Sequence, residues 1–155
     1  LIRFHEIQAG DVFLLEDQIR VQTLSGEHPG GSILYRLEEA TQGSEPASIV
    51  YGLDCELTDA MFQKLKEFAG ACGLLICDAC YTEAELLLRQ GWGHGSIERC
   101  RKLRQASGAQ QALFMHYERS YQDTFLREQE KISLAQDPAC LFAREGMALK
   151  VHGQG

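Results

Sequence analysis

Two short apolar runs, each free of charged side chains, constrain the fold of this chain more than any other feature. Leu74–Cys77 reads LLIC and Ala112–Met115 reads ALFM, and runs of this length are typical of strands buried within a sheet. Between them, Ser96 is placed to cap a helix that continues to about Ser107. The order of buried strand, helix and buried strand predicts an α/β fold, in which helices cover a mixed sheet.

The first third of the chain has the shorter periodicity of strands. Alternating and β-branched residues, separated by turn residues, predict strands at Leu1–Ile7, Val12–Leu15, Ile19–Leu24, Ser32–Leu37 and Ser48–Leu53. A hairpin loop is expected over 38–47. Further helices are predicted at Thr58–Ala69, Thr82–Arg89 and Tyr121–Ala135, before a closing segment at Cys140–Arg144. No repeat or domain boundary interrupts the pattern, so residues 1–155 are predicted to form a single domain.

The charge balance argues against some classes of partner. The chain has 15 Lys and Arg residues against 22 Asp and Glu residues, a formal net charge of −7. It is therefore not expected to bind nucleic acid or membrane surfaces in bulk. No stretch approaches the ~20 apolar residues that a membrane span needs, and no signal peptide is recognised. We expect a cytoplasmic protein.

The six cysteines are predicted to be reduced and buried. Cys72, Cys77 and Cys100 lie within apolar or helical patterns, which favours free thiols in a reducing compartment over disulfides. Cys77 and Cys80 form a C-x-x-C pair, but a structural zinc site usually needs a second pair. The sequence contains no second pair.

Five polar residues at strand ends or in loops are candidates for a functional site. His28 opens a loop before a strand, Asp54, Asp78 and His116 each follow a predicted strand, and His94 lies in a glycine-rich turn. Taken singly, such residues are more often surface histidines, turn residues or helix caps. Because α/β proteins bind ligands at strand ends, the imidazoles and carboxylates together predict a site for a divalent metal such as zinc, manganese or iron.

Several segments also resemble a known family in their order and spacing. They are Val50-Tyr-Gly-Leu-Asp-Cys-Glu56, Leu74-Leu-Ile-Cys-Asp-Ala-Cys-Tyr-Thr82, Gly91-Trp-Gly-His-Gly-Ser96 and Leu113-Phe-Met-His116, with His28–Tyr35 and Phe142–Met147 also fitting. They are similar to the second half of a metallo-β-lactamase-fold hydrolase, in the phosphodiesterase-like branch that includes ribonuclease Z and the phosphoribosyl cyclic phosphodiesterases. The resemblance spans Gly26–Val151 and implies the C-terminal half of an αββα sandwich.

The resemblance implies a role for each candidate residue. His28, Asp54 and His116 match metal ligands, and Asp54 matches the aspartate that bridges two ions, here zinc or manganese. His94 matches the histidine that protonates the leaving oxygen, and Asp78 matches an acidic residue that orients this histidine. The implied reaction is hydrolysis of a small phosphodiester or nucleotide-like substrate by a hydroxide bound to both metals.

One signature of the family has no counterpart in this sequence. The His-x-His-x-Asp-His run, which supplies four ligands, does not occur. We therefore expect the N-terminal metal-binding half to be lost, cleaved or on a separate chain, and this chain to be weakly active or inactive, with partial or no metal occupancy. A half-sandwich would expose an apolar sheet face, which predicts pairing with the missing half or with a second copy.

Two alternatives to the hydrolase hypothesis stay open. One is a non-catalytic half-domain that acts as an assembly or binding module, with its site residues as remnants. The other is a thioesterase or lactonase on the same fold, although the turn that carries His94 favours the phosphodiesterase.

Two features near the glycine-rich turn are interpreted as structural and not as ligand-binding. The basic stretch of Arg99, Arg101, Lys102 and Arg104 is more often a solvated helix face than a phosphate-binding patch. Trp92 is more often an aromatic residue that packs and fixes the turn than a platform for a nucleobase.

Overall fold

The computed structural model describes residues 4–39 and 46–153. Within these ranges the chain forms one seven-stranded sheet, whose strands lie side by side in sequence order. The strands are β1 (Val12–Leu15), β2 (Ile19–Gly26), β3 (Ser32–Glu39), β4 (Ser48–Gly52), β5 (Leu74–Asp78), β6 (Gln111–Met115) and β7 (Cys140–Phe142). The helices are α1 (Asp59–Phe68), α2 (Glu83–Leu86), α3 (Ile97–Ser107) and α4 (Asp123–Gln136). The predicted α/β class, a mixed sheet with covering helices, is confirmed.

The sheet changes from antiparallel to parallel pairing at β4. Strands β1 to β4 pair antiparallel, because short connections reverse the chain direction between them. Strands β4 to β7 pair in parallel, because each connection contains a helix that carries the chain back to the edge where the previous strand began. The carboxyl ends of β4, β5 and β6 therefore meet at one edge of the sheet.

Local hydrogen bonds define where the two longer inner helices begin. Thr58 Oγ1 accepts a hydrogen bond from Met61 N at 3.2 Å, and Ser96 Oγ accepts one from Arg99 N at 3.2 Å. Each bond satisfies an amide that the first helical turn leaves unpaired. Helix α3 ends at Gly108, whose φ of 72° lies in the left-handed region that glycine adopts readily. Both predicted caps are confirmed.

The core lies between one face of the sheet and helices α1 and α3. Its buried side chains include Leu34, Val50, Leu75 and Phe114 from the sheet, and Met61, Leu65, Ile97 and Leu103 from the helices. Burial of a side chain of this size contributes about 1.5–3 kcal/mol. This core fixes the strands whose ends carry the candidate residues.

The opposite face of the sheet is covered only in part by the described residues. Its side chains alternate with the core residues along each strand, and several of them are half-buried or exposed: Tyr35, Leu37, Ile49, Tyr51, Ile76 and Leu113. Tyr51 is 41% exposed. We call these six residues the open sheet face.

Some predicted elements differ from the structure. Residues 4–7 form no strand, and the chain instead turns where Gln8 N donates to Asp11 Oδ2 at 2.8 Å; residues 1–3 lie outside the described ranges. The predicted hairpin loop begins later, because β3 extends to Glu39, and residues 40–45 also lie outside the description. The helix predicted at Thr82–Arg89 is a single turn, Glu83–Leu86, which begins with a reciprocal cap between Thr82 and Glu85.

A membrane-spanning helix is not found among the described residues, since none of their helices is sufficiently long and apolar.

Candidate metal centre

Four predicted site residues converge at the edge where β4, β5 and β6 end. Asp54 and His116 follow β4 and β6, Asp78 is the last residue of β5, and His94 comes from the turn before α3. One ligand atom from each of the four lies within 4.8 Å of the others. The parallel pairing at this edge brings together residues that are up to 62 positions apart in the sequence (from Asp54 to His116).

Asp78 is the buried centre of this group. Its Oδ2 is 2.9 Å from His94 Nδ1 and 3.0 Å from His116 Nδ1. Its Oδ1 accepts hydrogen bonds from Cys80 N and Gly95 N, each at 3.3 Å. Because an ionised carboxylate only accepts, both imidazoles donate from Nδ1 and keep Nε2 unprotonated in their neutral form. Each Nε2 is therefore available for a metal ion or a proton.

The side chains around Asp78 are far more accessible than Asp78 itself. The exposed fraction of the side chain is 52% for Asp54, 40% for His116 and 19% for His94, against 1% for Asp78. The arrangement presents one carboxylate and two imidazoles to a ligand, above a carboxylate that is already fully hydrogen-bonded.

The pKa of His116 is raised above its ordinary value. The hydrogen bond to Asp78 is the largest cause, and it outweighs partial burial, which acts in the opposite direction. The negative charge of Asp54, with Oδ1 at 3.7 Å from His116 Nδ1, adds to the rise. The site therefore favours positive charge at His116, which is the electrostatic environment that a cation also needs.

The backbone is unusual at two of the site residues. Asp54 and His116 have φ values of 50° and 64°, in the left-handed region that few residues other than glycine adopt. Aspartate and histidine tolerate this region better than most residues, and Ser32 Oγ supports Asp54 by donating to its carbonyl oxygen at 2.7 Å. Backbone conformations of this kind are concentrated at functional sites.

His28 lies at the rim of the centre. Its ring centroid is 5.5 Å from that of His94, whose ring is in turn 5.0 Å from that of His116. Its Nδ1 accepts a hydrogen bond from Gly30 N at 3.3 Å, which leaves Nε2 unengaged in that bond. His28 is outside the four-residue group, whereas His94, expected beside the ligands, lies within it.

The donor chemistry of the group fits a divalent metal. Zinc is bound by imidazole nitrogen and carboxylate oxygen at about 2.0–2.2 Å, so ligands of one ion lie within roughly twice that distance of each other. The ligand atoms of the four residues lie within 4.8 Å of one another, slightly beyond this limit, so the side chains must move closer to share one ion. Asp54, His94 and His116 have ligand atoms to offer, whereas the oxygens of Asp78 already accept four hydrogen bonds. Zinc, manganese and iron all accept such ligands.

Two residues of the site were not singled out from the sequence. Glu56 is buried and accepts hydrogen bonds from the amides of Gly91 and Gly93. Tyr81 is buried with its ring 6.0 Å from that of His94. Glu56 is two residues after Asp54 and Tyr81 is three residues after Asp78, but no local pattern indicates the distant partner that each residue contacts.

The features near the turn have different roles from those expected. Trp92 is 59% exposed, so the prediction that it packs to fix the turn is wrong; the glycine-rich turn is held by hydrogen bonds instead. In the basic stretch, Arg99 pairs with Asp59 and Glu83, and Arg104 pairs with Asp137. These two arginines connect elements of the fold.

Comparisons with known proteins identify the fold. The chain is similar to the metallo-β-lactamase fold protein YhfI from Bacillus subtilis, with a TM-score of 0.66 and 18% identity over 91% of this chain and 53% of that chain. It is similar to the short form of human tRNase Z, with a TM-score of 0.64 and 15% identity over 91% and 45% of the two chains. It is also similar to a diphosphatase of the PhnP family, with a TM-score of 0.57 and 12% identity over 97% and 50%.

The similarity is found between structures and extends over only part of the length of the similar proteins. Neither the protein-family models nor the curated proteins match the sequence. The chain spans about half the length of the three solved structures above. Its mixed sheet, covering helices and convergent site residues nevertheless follow one known architecture: the chain has the metallo-β-lactamase fold, over about half the length of such proteins.

Proposed function

We propose that this chain carries the second half of a dinuclear, metal-dependent phosphodiesterase site. The observation that carries the proposal is the sharing of Asp78 by two histidines, which fixes both rings through Nδ1 and keeps both Nε2 atoms for chemistry. The names of two similar proteins, a tRNase Z and a PhnP-family diphosphatase, support a phosphate ester as the substrate. We propose a small phosphodiester or a nucleotide-like molecule.

Each site residue has a role in the proposed reaction. A divalent metal, zinc or manganese, supplies an activated water and a positive charge for the phosphoryl oxygens when it is bound. Asp54, His116 and His28 hold metal. Doubly protonated His94 transfers the proton on Nε2 to the leaving oxygen and becomes the neutral tautomer with its proton on Nδ1. The hydrogen bond to Asp78 holds this ring in orientation throughout.

Further ligands are needed for a complete dinuclear site. The resemblance assigns four of them to a His-x-His-x-Asp-His run, which these 155 residues do not contain. We therefore propose that full activity requires such a run from outside this sequence. The chain alone is then weakly active or inactive, with partial metal occupancy.

Calorimetric titration of the 155-residue chain with Zn²⁺ tests the ligand assignment. We expect the chain to bind fewer than two ions, and weakly. The affinity for Zn²⁺ should fall at least tenfold in Asp54→Ala or His116→Ala and should be unchanged in His94→Ala. Loss of binding in His94→Ala would make His94 a ligand. Tight binding of two ions would show that the site is complete without another segment, and no binding at all would favour the non-catalytic module.

The proposed reaction is tested by measuring turnover of the chain after a segment with the His-x-His-x-Asp-His run has been added to complete the site. For an alkyl phosphodiester, His94→Ala should lower kcat about 10²–10⁴-fold, the usual range for a general acid. A nitrophenyl ester has a stable leaving anion and should lose much less. An equal loss on both substrates would remove the proton-donor role from His94.

A further inference from the structure

Glu56 is a buried acidic residue with no role in the reaction described above. It is 8% exposed, and within residues 4–39 and 46–153 it forms no ion pair. Its Oε2 accepts hydrogen bonds from Gly91 N at 2.7 Å and Gly93 N at 3.1 Å, and its Oε1 accepts from Gly91 N at 3.0 Å. A buried charge is expensive unless it is satisfied, and backbone amides satisfy this one.

The turn that Glu56 holds is conformationally demanding. Gly91 and Gly93 have φ values of 82° and 90°, which side chains other than glycine rarely adopt. A Cβ on Gly93 would lie 2.4 Å from His28 Cδ2 and 2.7 Å from Pro29 Cδ. The turn therefore lies in close contact with the loop that carries His28. The carboxylate of Glu56 holds the turn through its hydrogen bonds to the backbone amides.

The same turn carries His94. One residue after Gly93, the ring of His94 reaches Asp78, and Gly95 N donates to the other oxygen of Asp78. The turn is thus fixed at two points, by Glu56 before His94 and by Asp78 around it. Glu56 is also two residues from Asp54 in the β4–α1 connection, so one loop supplies both a candidate metal ligand and the anchor of the candidate proton donor.

We propose that Glu56 is the positioning residue for His94: its carboxylate, by binding the amides of Gly91 and Gly93, sets where His94 stands relative to Asp54 and His28. The inference deepens the proposed function and rests on it for the role of His94. The alternative is that Glu56 stabilises the fold in general. The two differ in one respect, because His116 shares Asp78 with His94 but is carried by β6 and not by the turn.

Nuclear magnetic resonance of the metal-free, ¹⁵N-labelled chain tests the proposal. In Glu56→Ala we expect the amide protons of Gly91 and Gly93 to exchange about tenfold faster or more, as loss of a charge-assisted hydrogen bond implies. The Nδ1 proton of His94 should lose its hydrogen-bonded signal, while that of His116 stays unchanged. If both histidines change alike, or if His94 does not change, Glu56 is not its positioning residue.

Two further variants keep the test decisive. Glu56→Gln preserves the shape and one acceptor oxygen, so it should partly restore the His94 signal and give amide exchange between that of the wild type and of Glu56→Ala. If Glu56→Ala does not fold, unchanged exchange in Glu56→Gln would overturn the proposal. Glu27→Gln is the matched control, because Glu27 lines the same surface cleft and bonds the Thr58 hydroxyl but not the turn. It should leave the Gly91, Gly93 and His94 signals as they are.

The outcome for Glu56 can be separated from the outcome for the proposed function. The resonance measurements need neither metal nor substrate, so they decide whether Glu56 positions His94 even if the chain hydrolyses nothing. In the completed phosphodiesterase, Glu56→Gln should lower kcat for an alkyl leaving group with little change in KM. Absence of hydrolysis in the wild type would count against the phosphodiesterase, whereas hydrolysis that Glu56→Gln leaves unaffected would count against the positioning role.

Discussion

Asp78 accepts four hydrogen bonds, two from backbone amides and two from imidazoles, although it is almost wholly buried. Charge-assisted hydrogen bonds are roughly twice as strong as neutral ones, so the carboxylate can fix two rings that lie on different elements. A single residue thus determines the orientation of the imidazole rings of His94 and His116, whose Nε2 atoms are available to a ligand.

Replacing Asp78 should weaken metal binding although Asp78 is not proposed as a ligand. Both imidazoles donate to Oδ2 of Asp78, and the amides of Cys80 and Gly95 both donate to Oδ1. In Asp78→Asn an amide nitrogen replaces one of these oxygens and faces either both imidazoles or both backbone amides, so one of the two pairs of hydrogen bonds is lost. We expect the Zn²⁺ affinity of the chain, measured by calorimetry, to fall about 10–100-fold, the usual effect of removing the partner of a ligating histidine. Asp137→Asn, at another buried aspartate remote from the centre, should leave the affinity unchanged. An unaltered affinity in Asp78→Asn would show that the shared carboxylate does not support the ligands.

The thiols give a second prediction for individual residues. All six cysteines are free and buried, and burial raises the pKa of Cys55 and Cys72 to about 11 and that of Cys140 to about 12. Because the thiolate is the reactive form, an aromatic disulfide reagent at pH 8 should label almost none of them in the folded chain. It should label six per chain in denaturant. Fewer than six in denaturant would indicate disulfides.

At the scale of elements, a buried ion pair joins α3 to the end of α4. Asp137, the C-cap of α4, is 4% exposed and accepts from Arg104 Nη1 at 3.1 Å and from Ala139 N at 3.1 Å. Burial alone would raise the pKa of Asp137, but the hydrogen bond from Ala139 and the charge of Arg104 outweigh it, and the pKa is lowered. The folded state therefore favours the ionised carboxylate.

This lowered pKa predicts a pH dependence of stability. Because the pKa of Asp137 is lower in the folded than in the unfolded chain, its contribution is fully present above the unfolded value of 3.8 and is lost as the pH falls through the folded value. Asp137→Asn should lower the free energy of unfolding by about 1–3 kcal/mol at pH 7, measured by urea denaturation. The difference from the wild type should shrink towards pH 3, and a difference that stays constant would contradict the role of the charge.

At the scale of the whole molecule, the sheet has a helical layer on one face and an open face on the other. Apolar patches larger than a few hundred Å² are rare on monomeric proteins, and the residues of the open sheet face form a continuous band across β3 to β6 by their strand register. In a sandwich, such a face is covered by a second layer. We propose that another layer, from an N-terminal half of the fold or from a second copy of the chain, covers it here.

Association of the isolated chain follows from this open face. Sedimentation velocity should show a dimer or a larger species, because two open faces can cover one another. Tyr51→Arg places a charge in the middle of the face and should shift the chain towards the monomer, without changing its circular dichroism spectrum. Leu88→Arg is the control, since Leu88 is 83% exposed and follows α2, outside the strands of the sheet. A wild-type chain that is monomeric at high concentration would contradict the prediction.

Much of the architecture can be predicted from local patterns. The buried strands, the caps at Thr58 and Ser96 and the helices that follow them depend on side-chain periodicity and on amides close by in the sequence. Their local origin explains why β5 and α3 begin where they were predicted and why β6 begins within one residue of its predicted start. Trp92 shows the limit, because the packing of a single aromatic residue depends on neighbours that the sequence does not name.

The sequence by itself determined which residues stand at strand ends, since the strands are read from local hydrophobic runs and the residue after each run is then known. Only the tertiary structure decided that Asp78 serves two histidines, that Glu56 holds the turn of His94, and that His94 stands inside the four-residue group. These contacts join positions that are 16, 37 and 38 residues apart. Their geometry depends on parallel strand register and on glycine turns pressed against distant loops, and neither is encoded in the residues nearby.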